Sequence, residues 1–160
     1  MNLEQSDSRA VPLALAAIKQ AVDRYARHLP ASADGFAAAR PQGASLHAWG
    51  VVNRGSGRLA SHFHGEAWLS GVFYVCAPRG LDGGHLGALS LGAVDAALDS
   101  RRGPPWETIS IDPTPGRLVL FPSYTPHATE PTHSEEDRIS ISFDVIPQPV
   151  VAAASQPGVL

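Results

Sequence analysis

Three histidines and one arginine in this chain have the types and spacing for metal and carboxylate chemistry. In Ser61-His62-Phe63-His64 the imidazoles stand at i and i+2, so on an extended strand both leave one face while Phe63 leaves the other. Two imidazoles on one face make a two-point clamp for a metal. His127 comes far downstream, after the run Arg117-Leu118-Val119-Leu120-Phe121, and closes the clamp if the fold returns to the same place. Arg138-Ile139-Ser140 repeats the i, i+2 spacing with a guanidinium and a hydroxyl, a fork of donors suited to a carboxylate.

Each of these signals also has a plainer explanation. Alternating histidines occur in cores and on surfaces, His127 can be a capping or core histidine, and Arg138 can pair on the surface with Glu135, Glu136 or Asp137. The prolines favour the ligand reading of His127: Pro122 and Pro126 fix a rigid loop at a strand end, where a barrel keeps its ligands. If the strand continued past His64, Glu66 would share the face of both histidines and offer an alternative carboxylate ligand. Gly65 weighs against that continuation.

The elements that must position these residues follow from periodicity. Leu15, Ile18, Val22, Tyr25 and Leu29 fall at helical spacing, with Pro12 tolerable in a first turn and Pro30 as a stop; this predicts one amphipathic helix over 11–29. Its apolar stripe would cover a sheet and its polar face would be solvated. The Ala-, Gly- and Pro-rich stretch from Ala31 to Ser45 reads as a connecting loop.

After it come short runs rich in β-branched and aromatic residues, at 46–53, 58–64, 68–76, 85–91, 108–111, 117–121 and 138–145, separated by turn clusters such as Arg54-Gly55-Ser56-Gly57. Short, regularly spaced strands after one helix predict an all-β antiparallel sandwich or jelly roll. The expected organisation is a single domain over 1–160, with the core at 46–145, a loop at 92–105 over the barrel and a loosely held tail at 147–160.

Composition excludes several classes of partner. With 12 basic and 15 acidic residues scattered along 160 positions and a net charge of −3, no basic stripe exists for nucleic acid or an anionic membrane. No apolar run approaches membrane-spanning length, and the first residues carry acids with no basic leader. The single Cys76 lies in the apolar run Val72-Phe73-Tyr74-Val75-Cys76, which suits a buried thiol in a reducing compartment. A cytoplasmic protein acting on a small molecule is the expectation.

Several longer motifs sharpen the reading: His62-Phe63-His64, then Ser70-Gly71-Val72-Phe73-Tyr74, then Phe121-Pro122-Ser123-Tyr124-Thr125-Pro126-His127, then Arg138-Ile139-Ser140-Ile141-Ser142-Phe143. In order and spacing, and with the approach Trp49-Gly50-Val51-Val52-Asn53-Arg54-Gly55, the chain resembles a branch of the iron(II)/2-oxoglutarate-dependent oxygenases. The resemblance implies a double-stranded β-helix, that is, a jelly-roll barrel of cupin type. It implies His62 and His127 as iron ligands, Arg138 and Ser140 as the holders of the distal carboxylate of 2-oxoglutarate, and Tyr74 and Asn53 as lining of the same pocket.

The usual family motif is H-x-Asp or H-x-Glu, and here its second position is His64, which the matching branch also carries. His64 then serves as third ligand or as a partner behind one, with Glu66 as the alternative source of charge. Some relatives carry tetratricopeptide repeats ahead of this domain; one helix there predicts that this chain lacks them. The expected activity uses Fe(II), 2-oxoglutarate and O2 to hydroxylate a small-molecule substrate, releasing succinate and CO2. Two further readings remain: a three-histidine, cupin-like dioxygenase that does not use 2-oxoglutarate, and a non-catalytic metal-binding jelly roll.

Overall fold

The computed structural model describes residues 3, 7–31, 35–80, 84–92 and 107–149. A first helix, α1, spans Ala10–His28 and buries Ile18 and Val22. Pro12 sits in its first turn, where a missing N–H costs nothing, and Arg27 and His28 occupy its last turn, where a positive charge suits the helix dipole. Leu29 ends it in extended conformation, as the following proline requires. The connecting stretch contains one helical turn the sequence did not announce, α2 at Gly35–Ala38. Phe36 of that turn stacks on Trp68 with ring centroids 4.9 Å apart, and its carbonyl accepts from the Trp68 indole N–H at 3.1 Å.

Among the described residues seven strands follow: β1 Ala44–Asn53, β2 Leu69–Cys76, β3 Leu89–Leu91, β4 Ile109–Ile111, β5 Leu118–Pro122, β6 His127–Thr129 and β7 Arg138–Pro147. They form a four-stranded sheet in the order β1-β7-β2-β5 and a three-stranded sheet in the order β4-β3-β6, antiparallel throughout.

The period of two decides what each face of the larger sheet does. On β7, Ile141, Phe143 and Val145 join Ala48 and Leu69 under Ile18 and Val22 of α1. The alternate residues Arg138, Ser140 and Ser142 face the other way, into a cavity between the sheets. A second, smaller apolar cluster of Val72, Tyr74, Leu89 and Phe121 packs there. Gly71 is required where β2 meets β5, because a Cβ would lie 2.6 Å from the Val119 carbonyl oxygen and closer still to the Phe143 ring.

Two predicted strands change. Among the described residues the segment 58–64 forms no ladder and makes a single bridge, His62 to His127. Its partner β6 is only three residues long, held between Pro126, which has no N–H to offer, and Pro131. The predicted run 85–91 is a strand only from Leu89, since His85 and Gly87 take φ of 56° and 68° and turn the chain, with the Ala88 N–H donating to the His85 carbonyl. At the other end, Pro147 closes β7 and Gln148 donates through its backbone to Gly43 and through its side chain to Ser45. Most of the loop expected at 92–105, and the tail from 150 on, lie outside the described residues.

Candidate metal and oxoacid site

The bridge between the 58–64 segment and β6 brings the first two histidines together. His62 and His127 exchange backbone hydrogen bonds of 3.0 and 2.8 Å, and residues directly opposite in an antiparallel pair project to the same side. Their imidazole centroids are 4.3 Å apart. The His64 N–H donates to the Ser123 carbonyl at 3.0 Å, which anchors the third ring 5.2 Å from that of His62 and 5.1 Å from that of His127. One ligand atom from each histidine lies within 4.8 Å of the other two.

The acceptors around the rings determine which nitrogen faces inward. Nδ1 of His62 lies 2.8 Å from the Ala60 carbonyl oxygen, Nδ1 of His127 3.0 Å from that of Thr125, and Nδ1 of His64 2.7 Å from the Asp144 carboxylate. Carbonyl and carboxylate oxygens only accept, so each Nδ1 carries the hydrogen, and in the neutral ring that leaves the lone pair on Nε2. Three convergent imidazole lone pairs with their far nitrogens tied suit a first-row transition metal, iron(II) included.

Burial pushes His127 down from its usual 6.5 to about 4, outweighing the bond to Thr125 that pulls the other way. The imidazole is thereby held neutral, as a metal ligand must be. The sign for stability follows from this. Between about pH 6.5 and 4 the unfolded chain binds a proton here that the native chain does not, so the metal-free protein loses stability as pH falls through that window, by up to about 1.4 kcal/mol per pH unit. Urea unfolding of the metal-free protein is expected to show a lower midpoint at pH 4.5 than at pH 7, with a smaller difference in His127→Leu. Equal differences in both proteins would refute the assignment.

Arg138 is not the surface residue its acidic neighbours suggested: it is 2% exposed, and Asp137 pairs with Arg54 instead. Its Nη2 donates to Asn53 Oδ1 at 2.9 Å and its Nη1 to the Gly87 carbonyl, while the buried Nε has no partner among the described residues. Among the described residues no carboxylate meets it. Gly87 can come this close because its φ is 68° and a Cβ would touch Thr132 at 3.0 Å.

Tyr74 and Ser140, also buried, are cross-strand partners on β2 and β7 and line the cavity with Arg138 and the three histidines. Burial raises the Tyr74 phenol, against an opposing pull from Arg138, so it stays a neutral donor. Burial also lowers Arg138 from its ordinary value.

Two residues occupy places other than those expected. Asn53 does not line the cavity and instead holds the arginine from behind. Glu66 is exposed and stands outside the histidine cluster. The acid that does reach the site, Asp144, was missed, along with Ser70, which donates to Asp144 Oδ1 at 2.6 Å. A signal for Asp144 existed: Arg138, Ser140, Ser142 and Asp144 are polar at every second position of one strand.

No curated protein sequence matches the chain. Among solved structures it is similar to a prolyl-4-hydroxylase of Pseudomonas putida, at 18% identity and a TM-score of 0.61, covering 90% of this chain and 70% of that one. It is also similar to a prolyl 4-hydroxylase of Phytophthora capsici (18%, 0.44, 67% of this chain and 33% of that one) and to a cupin domain of Bordetella pertussis (13%, 0.41, 66% and 96%). The first of these likenesses supports a double-stranded β-helix. The model of the family described as "Putative 2OG-Fe(II) oxygenase" matches residues 47–144, the stretch that carries the three histidines, the buried arginine and the sheet that positions them, and the chain therefore belongs to the 2OG-Fe(II) oxygenases.

Proposed function

We propose that His62, His64 and His127 hold Fe(II) through their Nε2 atoms, that Arg138, Ser140 and Tyr74 bind the distal carboxylate of 2-oxoglutarate, and that the enzyme hydroxylates a small molecule. The observation that carries this is the buried guanidinium with no acid beside it among the described residues. A buried charge is costly unless paired, and this one lines the same cavity as the histidines, so an anionic ligand is its natural complement. The bound metal supplies the electron chemistry with dioxygen. Overall, one C–H of substrate, one O2 and one 2-oxoglutarate give the alcohol, succinate and CO2.

What the chain itself contributes is binding, orientation and exclusion of water. Asn53 and the Gly87 carbonyl hold the guanidinium in place, so its remaining N–H groups are aimed before the cosubstrate arrives. Trp49, Val51, Leu89 and Phe121 form apolar walls, which strengthen the charge pairing by lowering the local dielectric. The cavity has a volume of about 200 Å³, below the ~300–1,000 Å³ of pockets for drug-sized ligands, which favours a small substrate.

The decisive experiment is an anaerobic titration of the Fe(II)-loaded protein with 2-oxoglutarate. A saturable visible metal-to-ligand charge-transfer band is expected. A three-histidine dioxygenase without 2-oxoglutarate has in its favour the third imidazole where a carboxylate is usual. Iron binding with no band would establish that reading, and tightly held zinc closed to solvent would indicate a non-catalytic jelly roll.

A further inference from the structure

We propose that Asp144, acting through His64, supplies the negative charge that three histidine ligands leave out of the metal's coordination sphere, and that Ser70 sets how much of that charge reaches the ring. The inference rests on the reading of His64 as a ligand. Iron(II) oxygenase sites of the two-histidine, one-carboxylate type carry an anionic ligand on the metal. Here all three candidates are imidazoles, which bring no negative charge, and the exposed Glu66 stands apart.

The three rings are nevertheless not equivalent. Nδ1 of His62 and of His127 each end on a neutral backbone carbonyl. Only Nδ1 of His64 meets a carboxylate, at 2.7 Å, with the Asp144 side chain 15% exposed. Among the described residues no arginine or lysine pairs with that carboxylate, so its charge is directed at the ring. A carboxylate hydrogen-bonded to the far nitrogen of a ligating imidazole raises the ring's basicity and orients it. His64 is then the strongest donor of the three, and the site recovers one negative charge at one remove from the metal.

Ser70 modulates this. It is paired with Asp144 across β2 and β7, is 1% exposed, and donates to the same Oδ1 that His64 uses, at 2.6 Å. Its Oγ also lies 3.3 Å from Nδ1 of His64. A second donor on one oxygen withdraws charge from the first bond. Asp144 and Ser70 are thus positioning residues, which act on the metal through Nδ1 of His64.

The test compares wild type, Asp144→Asn and Ser70→Ala by anaerobic Fe(II) titration against a competing chelator, followed by 2-oxoglutarate. Asp144→Asn keeps an acceptor for Nδ1 and removes the charge; its Fe(II) Kd should rise about 10- to 100-fold. Its charge-transfer band should move to higher energy, since a less donating ring makes iron(II) harder to oxidise. Ser70→Ala should move the band the other way, with Fe(II) bound as tightly as in wild type or tighter. A purely structural role would weaken both variants without opposite shifts.

Unchanged affinity and band position in Asp144→Asn, with wild type binding normally, overturns this proposal and leaves the oxygenase reading standing. A wild type that binds no Fe(II) overturns both. Should Asp144→Asn fail to fold, Ser70→Ala decides, and a band unmoved or moved to higher energy overturns the proposal.

Discussion

His127→Ala is expected to abolish stoichiometric Fe(II) binding, raising the Kd by well over 100-fold, because even residues that merely orient a ligand cost ~10–100-fold when removed. The position is held by backbone: the bridge to His62 uses main-chain groups, and the Thr129 N–H donates to the Leu59 carbonyl at 3.1 Å. Truncation therefore removes a ligand and leaves its neighbours in place, apart from a gap beside Phe121, whose ring lies 4.9 Å from the imidazole. Circular dichroism would verify the fold, and chelator competition would measure the metal. A variant that still binds one tight iron per chain would show that a different set of residues holds it.

Arg138→Met separates the cosubstrate from the metal. It removes the buried charge while keeping most of the volume, so 2-oxoglutarate affinity should fall by roughly 2–5 kcal/mol, about 30-fold to several thousand-fold. Fe(II) affinity should stay within about threefold, since no ligand is lost. In the absence of 2-oxoglutarate the melting temperature should change little, because relief from desolvating a guanidinium that lacks an acid partner among the described residues is offset by the loss of its bonds to Asn53 and the Gly87 carbonyl. The expected pattern is near-neutrality without ligand and loss with it. Unchanged 2-oxoglutarate affinity would remove Arg138 from the site.

Much of the candidate site's composition was legible in local spacing. The i, i+2 pairs His62/His64 and Arg138/Ser140 name their own faces, and the β7 pair lies where the period of two puts it, lining the cavity beside Ser142. For the histidines the spacing named residues that do cluster, but by an incorrect route. They do not sit on a strand; each is pinned separately, His62 to His127 and His64 to the Ser123 carbonyl. The alternation still holds, because a nearly extended backbone turns successive side chains to opposite sides whether or not a ladder forms. Phe63 accordingly points away and is 57% exposed.

What sequence alone determined about this protein is therefore its periodicity: one amphipathic helix, a set of short alternating strands, and side chains with donor chemistry at fixed offsets along single segments. Tertiary structure alone decided which segments face each other. The register of β7 against β1 sets Asn53 opposite Arg138, and its register against β2 sets Ser70 opposite Asp144. The first pairing turns an expected lining residue into the support of the arginine; the second brings to His64 a carboxylate that is 80 residues away in the chain. Such meetings depend on strand pairing across long separations, where a slip of one residue turns every side chain to the opposite face, and no local pattern of residues records which register the packed sheets select.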